Sequence, residues 1–404
     1  MPPPATDAPA APGPPPPAPL RPFGRGPAVS PFTLGTMRAL GSAGQMAAVL
    51  QAALEAGINH IETAPAYGPA ETFLGQALVA LAERDPPRHR ALVLTSKILP
   101  GPDLPAGQEQ LRACLARLGI ERLDNLAVHG LNRPEHLEWA LRGAGADLLA
   151  WATGEGLVAQ VGFSSHGAAA LIEAALASGR FRFCALHVHL FDPARLPLAH
   201  AALAEGIGVL AISPADKGGR LYDPPPELVA DCAPFDPLEL AYRFLLEQGV
   251  STLSLGAAQP GDLVWAARLT AALATRSPSS PREPGVLSPE IHAAVARLEA
   301  AAAARLGSTR CGQCRACLPC PSEVPIPELL RLRNLTLGHG MEGFAGERYN
   351  LIGRAGHWWE EVNAAACRRC GACLPRCPHE LAIPDLLGEL HARLAAAPRR
   401  RLWG

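Results

Sequence analysis

From about Phe32 to Leu273 the chain alternates two patterns. One is a short run that is apolar at nearly every position; the other is a longer Ala/Leu-rich stretch with apolar residues at helical spacing. The short runs are FTLGT from Phe32, NHIET from Asn59, ALVLTS from Ala91, NLAVHG from Asn125, VAQVGFS from Val158, FCALHVH from Phe183, GVLAIS from Gly208 and STLSLG from Ser251. A run without polar alternation suits a parallel strand buried on both faces. The stretches between them predict helices, among them Gln45 to Ala56, Gln108 to Leu118 and Pro237 to Glu247. Gly57, Gly119, Gly206 and Gly249 stand where such helices stop. Eight alternations over this span predict an α/β fold, a (β/α)8 TIM barrel. A doubly wound sheet would want a glycine fingerprint after its first strand, and the sequence has none.

The pattern breaks at ATRSPSSPREPGVLSPE, Ala274 to Glu290, which reads as a linker. A helix from Pro289 to Arg305 follows, then two short cysteine runs. The span between the runs, Pro327 to Ala366, reads as mixed helix with Phe344, Tyr349, Trp358 and Trp359, and a last helix covers Pro384 to Leu394. The expected organisation is a disordered or polyproline-like Pro-rich tail over 1–20, a barrel over 21–273, a linker and helix over 274–305, and a small, mainly helical ferredoxin-like domain over 306–404.

Composition adds exclusions. At 48% hydrophobic and 18% charged the chain can fill a large core, and a net charge of −1 gives no reason to expect nucleic acid or an anionic membrane as partner. No apolar stretch approaches the roughly 18 residues of a membrane span. The N-terminal segment lacks the basic head and apolar core of a signal peptide. A cytoplasmic, reducing location is expected, where eleven cysteines argue for thiols or metal ligands over disulfides.

In a barrel of this kind, reactive side chains sit where strands end. Those positions give Glu62 and Tyr67 after the second run, Lys97 after the third and His129 at the end of the fourth. The set suits carbonyl reduction. Hydride arriving at carbon leaves charge on oxygen, which a tyrosine can protonate. A nearby lysine cation favours the phenolate and is expected to bring the tyrosine pKa toward neutral. A carboxylate would hold the lysine, and a neutral histidine would orient the carbonyl. His60, His187 and His189 read as strand residues packed inside, and Cys114, Cys184 and Cys232 as small buried thiols.

From RPFGRGPAVSPFTLGTMRA through STLSLGAAQPGDL to the cysteine runs, the chain resembles the aldo-keto reductases, and more closely their bacterial branch with a C-terminal iron–sulfur domain. The resemblance implies an oxidoreductase acting on a small carbonyl or alcohol with NAD or NADP. The family's Asp, Tyr, Lys and His tetrad falls on Glu62, Tyr67, Lys97 and His129, with glutamate in place of the usual aspartate. For the nicotinamide cofactor it implies Ser164 and Ser165 in VGFSSH, Ser213 and Lys217 in ISPADKGGRL, and Gly256, Ala257 and Gln259 in LGAAQPGDL. Ala185 falls where the family usually has glutamine. A barrel that has lost its chemistry and serves in electron transfer or docking is the alternative.

The second cysteine run is Cys367, Cys370, Cys373 and Cys377 before Pro378, the C-x2-C-x2-C-x3-C-P spacing of bacterial ferredoxins. The first, Cys311, Cys314, Cys317 and Cys320 before Pro321, is one residue tighter at its last interval. Eight thiolates are the ligand number of two [4Fe–4S] clusters, and in two-cluster ferredoxins each fourth cysteine ligates the other cluster. Zinc sites favour two Cys-x2-Cys pairs separated by a longer loop, which fits these runs poorly. Nicotinamides pass two electrons as hydride and clusters pass one at a time. A flavin or a flavoprotein or ferredoxin partner could mediate, the clusters could be structural, or the substrate could split the pair.

Overall fold

Eight parallel strands close into a barrel in chain order: β1 Phe32–Gly35, β2 His60–Glu62, β3 Val93–Ile98, β4 Leu123–Val128, β5 Val158–Ser165, β6 Phe183–Leu186, β7 Gly208–Ile212 and β8 Thr252–Gly256. The structure, a computed structural model, describes residues 19–275, 285–356 and 360–396. The expectations for most of the Pro-rich tail, the middle of the linker, and Trp358 and Trp359 lie outside the described residues. The helix expected over Pro237–Glu247 has those bounds, and the one expected from Gln108 starts earlier, at Leu104. There Asp103 accepts from the Ala106 amide and Gly119 stops the helix in the left-handed region.

Strand parity sorts every residue. On β3, Leu94 and Ile98 face out and pack against the helices, while Val93, Thr95 and Lys97 face the barrel axis. The inward residues form layers. Phe183, Ala185, Leu210, Ala127 and Val93 make an apolar floor with Phe23 and Val29 from the segment before β1. That segment folds back through an antiparallel bridge between Arg21 and Val29 and seats Phe23 against His60 and Phe183, at ring separations of 5.2 and 5.1 Å. A buried polar group interleaves with it. His60 bonds Thr33 (2.8 Å) and Thr95 (2.7 Å), Thr33 bonds Thr252, and Asn125 joins Thr95 to Gln160. Burial pushes the His60 imidazole down to about 4, so it is neutral and structural, as expected.

The C-terminal unit is helical: Pro289–Leu306, Ile326–His339, Glu342–Tyr349 and Ile383–Leu394. Leu329, Leu330, Tyr349, Ile383 and Leu387 build its own core, with Cys317 and Cys373 inside it. It sits against the barrel's C-terminal mouth. Leu335, Met341 and Phe344 join the barrel's outer core. Ion pairs join Arg348 to Asp216 (3.5 Å), Arg220 to Glu347 (2.9 Å), Arg331 to Asp192 (3.6 Å) and Arg133 to Glu361 (2.8 Å). Among the described residues no helix is long and apolar enough to cross a membrane.

Candidate active site

Lys97 organises the centre of the mouth. Because it is the last inward position of β3, its side chain rises along the barrel axis rather than following the strand. Its ammonium forms an ion pair with Glu62, at the end of β2, and donates to Tyr67 Oη (2.8 Å) and to the Thr63 carbonyl (3.1 Å). Ser254, inward on β8, donates to the other Glu62 oxygen at 2.9 Å. Tyr67 reaches the group from a short 3-10 turn, Pro65–Tyr67, and its ring stands perpendicular to that of His129, at a centroid separation of 5.8 Å and 87°. A small cavity opens beside Lys97 and His129, lined also by Leu99, Leu111 and Cys114. The four residues expected to act together are thus adjacent. The longer glutamate still reaches Lys97.

The electrostatics correct one expectation. Burial pushes Tyr67 up, Lys97 pulls it down and Glu62 pushes it up again, and the balance is upward. Tyr67 is therefore a protonated phenol at neutral pH, not one brought toward neutrality. Glu62 is held below its usual value because Lys97 and Ser254 outweigh burial. Lys97 is raised because Glu62 and Tyr67 outweigh the same burial.

The residues expected around a nicotinamide are placed unevenly. Ser164 is buried, and its hydroxyl accepts from the Gly130 amide at 2.9 Å. Ser165, one step on, has the opposite parity; its hydroxyl faces outward, donates to the Leu131 carbonyl and accepts from the Gly167 amide. Ser213 follows β7 with φ of 49°. A Cβ on Gly256 would stand 3.0 Å from Arg38, so the glycine makes room for that side chain. Ala257 is buried, and Gln259 is engaged in a capping box with Asp262. Arg38, which the sequence reading missed, stacks on Tyr222 at 5.1 Å and has no ion pair among the described residues. It is a rim cation that suits a diphosphate.

The sixth strand needs a larger correction. Ala185 belongs to the floor, and the next inward position is His187, beyond the end of β6. His187 and His189 are therefore not strand residues. They form a chain with His166, which follows β5. Nε2 atoms of His166 and His187 are 3.2 Å apart, and His187 Nδ1 lies 3.3 Å from His189 Nε2. The FCALHVH run gave no sign of this, since it still reads as strand past the last ladder pair at Leu186.

The cysteines gather as the spacing implied. Cys311 interacts with Cys314 and with Cys377, and Cys317 with Cys311 and Cys314. Cys373 interacts with Cys367, Cys370 and Cys320. Cys320 thus lies with Cys367, Cys370 and Cys373 of the second run, and Cys377 with Cys311 of the first, while Cys317 also interacts with Cys373 across the two sets. A cavity lined by Cys320, Cys367, Cys370 and Cys373 and by Ile326 and Leu387 marks the second set. No group of three or more His, Cys, Asp or Glu among the described residues gathers tightly enough for a single metal ion. Four sulfurs around a wider cluster have no such requirement, so the residues fit the group. Cys114, Cys184 and Cys232 are buried thiols apart from both sets, each pushed up by burial.

Known proteins agree with this geometry. Residues 31–224 match the model of the aldo/keto reductase family, and residues 310–383 match that of the 4Fe-4S dicluster domain. An aldo-keto reductase of Mycolicibacterium vanbaalenii is 29% identical over 211 residues, covering 50% of this chain and 70% of that protein. The solved holo form of an aldo-keto reductase from Bacillus halodurans superposes with a TM-score of 0.55 at 19% identity, over 69% of this chain and 96% of that one. An aldo/keto reductase from Klebsiella pneumoniae, solved in complex with NADP and acetate, gives 0.53 at 23% identity, over 68% and 93%. At those identities the two structures establish the barrel fold. The chain thus joins a segment that matches the aldo/keto reductase family to one that matches the 4Fe-4S dicluster domain.

Proposed function

We propose that the barrel reduces a carbonyl, or oxidises the matching alcohol, with a nicotinamide cofactor, and that two [4Fe–4S] clusters exchange electrons with a redox partner. The observation that carries this reading is Lys97 bridging Glu62 and Tyr67 at the mouth. When bound, the nicotinamide would supply or accept the hydride. Tyr67 gives its phenolic proton to the carbonyl oxygen, and hydride and proton together convert C=O to CH–OH. Lys97 then faces the new phenolate at hydrogen-bonding distance and stabilises it. His129, its ring perpendicular to that of Tyr67, orients the carbonyl. Ser164 and Ser213 would hold the cofactor near the ring end, and Arg38 its diphosphate. Ser165 and Gln259, whose side chains are engaged elsewhere, would contribute through backbone only.

The swapped cysteine sets support two clusters, with Cys311, Cys314, Cys317 and Cys377 for one and Cys367, Cys370, Cys373 and Cys320 for the other. One-electron clusters and a two-electron hydride carrier are matched by a flavin, so a flavoprotein or a ferredoxin served by one is the partner that suits the chemistry. Titration of the anaerobic holoprotein with NADH and NADPH, followed by fluorescence, tests the barrel reading. Saturable binding is expected. No binding to protein with intact clusters would instead favour a barrel used for electron transfer or docking.

A further inference from the structure

The far side of the mouth, across from Tyr67, holds side-chain nitrogens without hydrogen-bond partners, and His189 Nδ1 is among the donors when His189 Nε2 accepts from His187 Nδ1. Lys217 lies on the loop after β7. That loop rests on the third histidine of the chain, since a Cβ on Gly218 would stand 3.2 Å from His189 Cβ. The Lys217 ammonium makes no hydrogen bond or ion pair among the described residues. It is coupled electrostatically to Glu62 and Lys97, so it reaches inward over the mouth, not outward to the rim where a diphosphate would run. His189 is 3% exposed, and its Nδ1 is buried without a partner. Arg195, which donates to the His166 and Gly167 carbonyls at 3.1 Å, leaves its buried Nε without one.

The neighbouring carboxylates are already engaged. Asp192 pairs with Arg331, Asp216 with Arg348 and Glu62 with Lys97, while burial pushes the Glu360 carboxyl up toward its neutral form. His129, His166 and His187 complete the ring of groups facing this cluster. Buried donors without acceptors cost free energy unless something acceptor-rich completes them.

We infer that Lys217, His189 and Arg195 bind an oxyanion, a carboxylate or a phosphate, carried by the carbonyl substrate. The barrel then acts on anionic carbonyl compounds, with the C=O at Tyr67 and the oxyanion on the opposite side of the same mouth. The inference rests on the carbonyl-reducing reading of that mouth for the identity of the ligand, though not for the anion site itself. Burial lowers Lys217 to about 8, with Arg348 acting in the same sense. The ammonium must be protonated to hold the anion. For an anion of constant charge, affinity is therefore level below about pH 8 and declines as the pH rises above it.

The test is calorimetric titration of the anaerobic holoprotein with oxalate and with inorganic phosphate. At least one should bind saturably near pH 7 and more weakly at pH 9. Lys217→Met and His189→Phe should each weaken binding by about tenfold or more, the effect of losing a hydrogen bond to a charged group, with the cluster absorbance unchanged. If His189→Phe disturbs the fold, Lys217→Met decides alone, because its ammonium holds nothing else in place. Binding retained in the presence of saturating NADPH supports a substrate anion. Binding abolished by NADPH reassigns the site to the cofactor's diphosphate and overturns the inference, as would no binding of either anion or unchanged affinity in Lys217→Met. Failure of carbonyl turnover with the anion titration intact would sink the reaction and leave the site standing.

Discussion

Replacing Glu62 by glutamine removes one charge and almost no volume from the centre of the mouth. In the native protein the Lys97 and Glu62 side chains are 2% and 4% exposed, and the ammonium has two other acceptors, the Thr63 carbonyl and the Tyr67 hydroxyl. Removing one partner of a buried pair strands the other, at a cost of about 3–5 kcal/mol. The glutamine carbonyl can still accept from Lys97, which places Glu62→Gln at the low end, about 3 kcal/mol, or roughly a 150-fold shift in the unfolding equilibrium. The sign of the pH dependence follows. In the native protein Lys97 is raised, because Glu62 and Tyr67 outweigh burial. Its contribution is fully present below the unfolded lysine value, about 10.4, and is lost as pH rises through the folded one. In the variant burial dominates, the folded pKa falls below the unfolded one, and stability is regained as pH rises between the two. Urea unfolding of anaerobic holoprotein at pH 7 and pH 9.5, followed by tryptophan fluorescence, should therefore show a deficit that narrows at the higher pH. Equal midpoints for the two proteins at pH 7 would refute the reasoning, as would a deficit that widens with pH.

Tyr67→Phe should lower kcat for carbonyl reduction by at least about 100-fold while nicotinamide affinity stays level; native turnover in that variant would reassign the acid, most simply to His129. Because burial and Glu62 raise Tyr67, the native rate should show no loss of the acid form until above about pH 10, and Glu62→Gln should move that alkaline limb downward, which a pH–rate profile reads directly. Anaerobically purified protein should carry about eight irons and eight sulfides per chain. Cys377→Ser should impair the cluster of the first run and Cys320→Ser that of the second; electron paramagnetic resonance showing the reverse assignment would end the swapped arrangement.

The barrel was legible because doubly buried strands and one-faced helices write different periods into a sequence, and the helix at Pro237–Glu247 was delimited to the residue. That the cysteines of the two runs lie near one another was legible in their spacing. Parity carried less well across strand ends. FCALHVH keeps alternating after its ladder stops at Leu186, so His187 and His189 read as strand when they belong to the mouth. Ser164 and Ser165 look equivalent in sequence, yet one step of parity turns the second hydroxyl away. The tyrosine pKa was misjudged because a neighbouring lysine can be read from the chain, whereas burial depends on everything packed around it. Arg38 gave no signal: its place beside Tyr222 depends on two loops 184 residues apart in sequence, from 38 to 222.

Phe23 has a consequence for traffic. By filling the N-terminal end of the barrel against Phe183 and His60, it makes the barrel a cup and not a tube. Anything that reaches Tyr67 comes and goes by the rim, and the helical unit stands on that same rim through Arg220, Arg348 and Arg331. On the proposed reading, substrate and product share that one doorway, and a product slow to leave would hold up the next substrate.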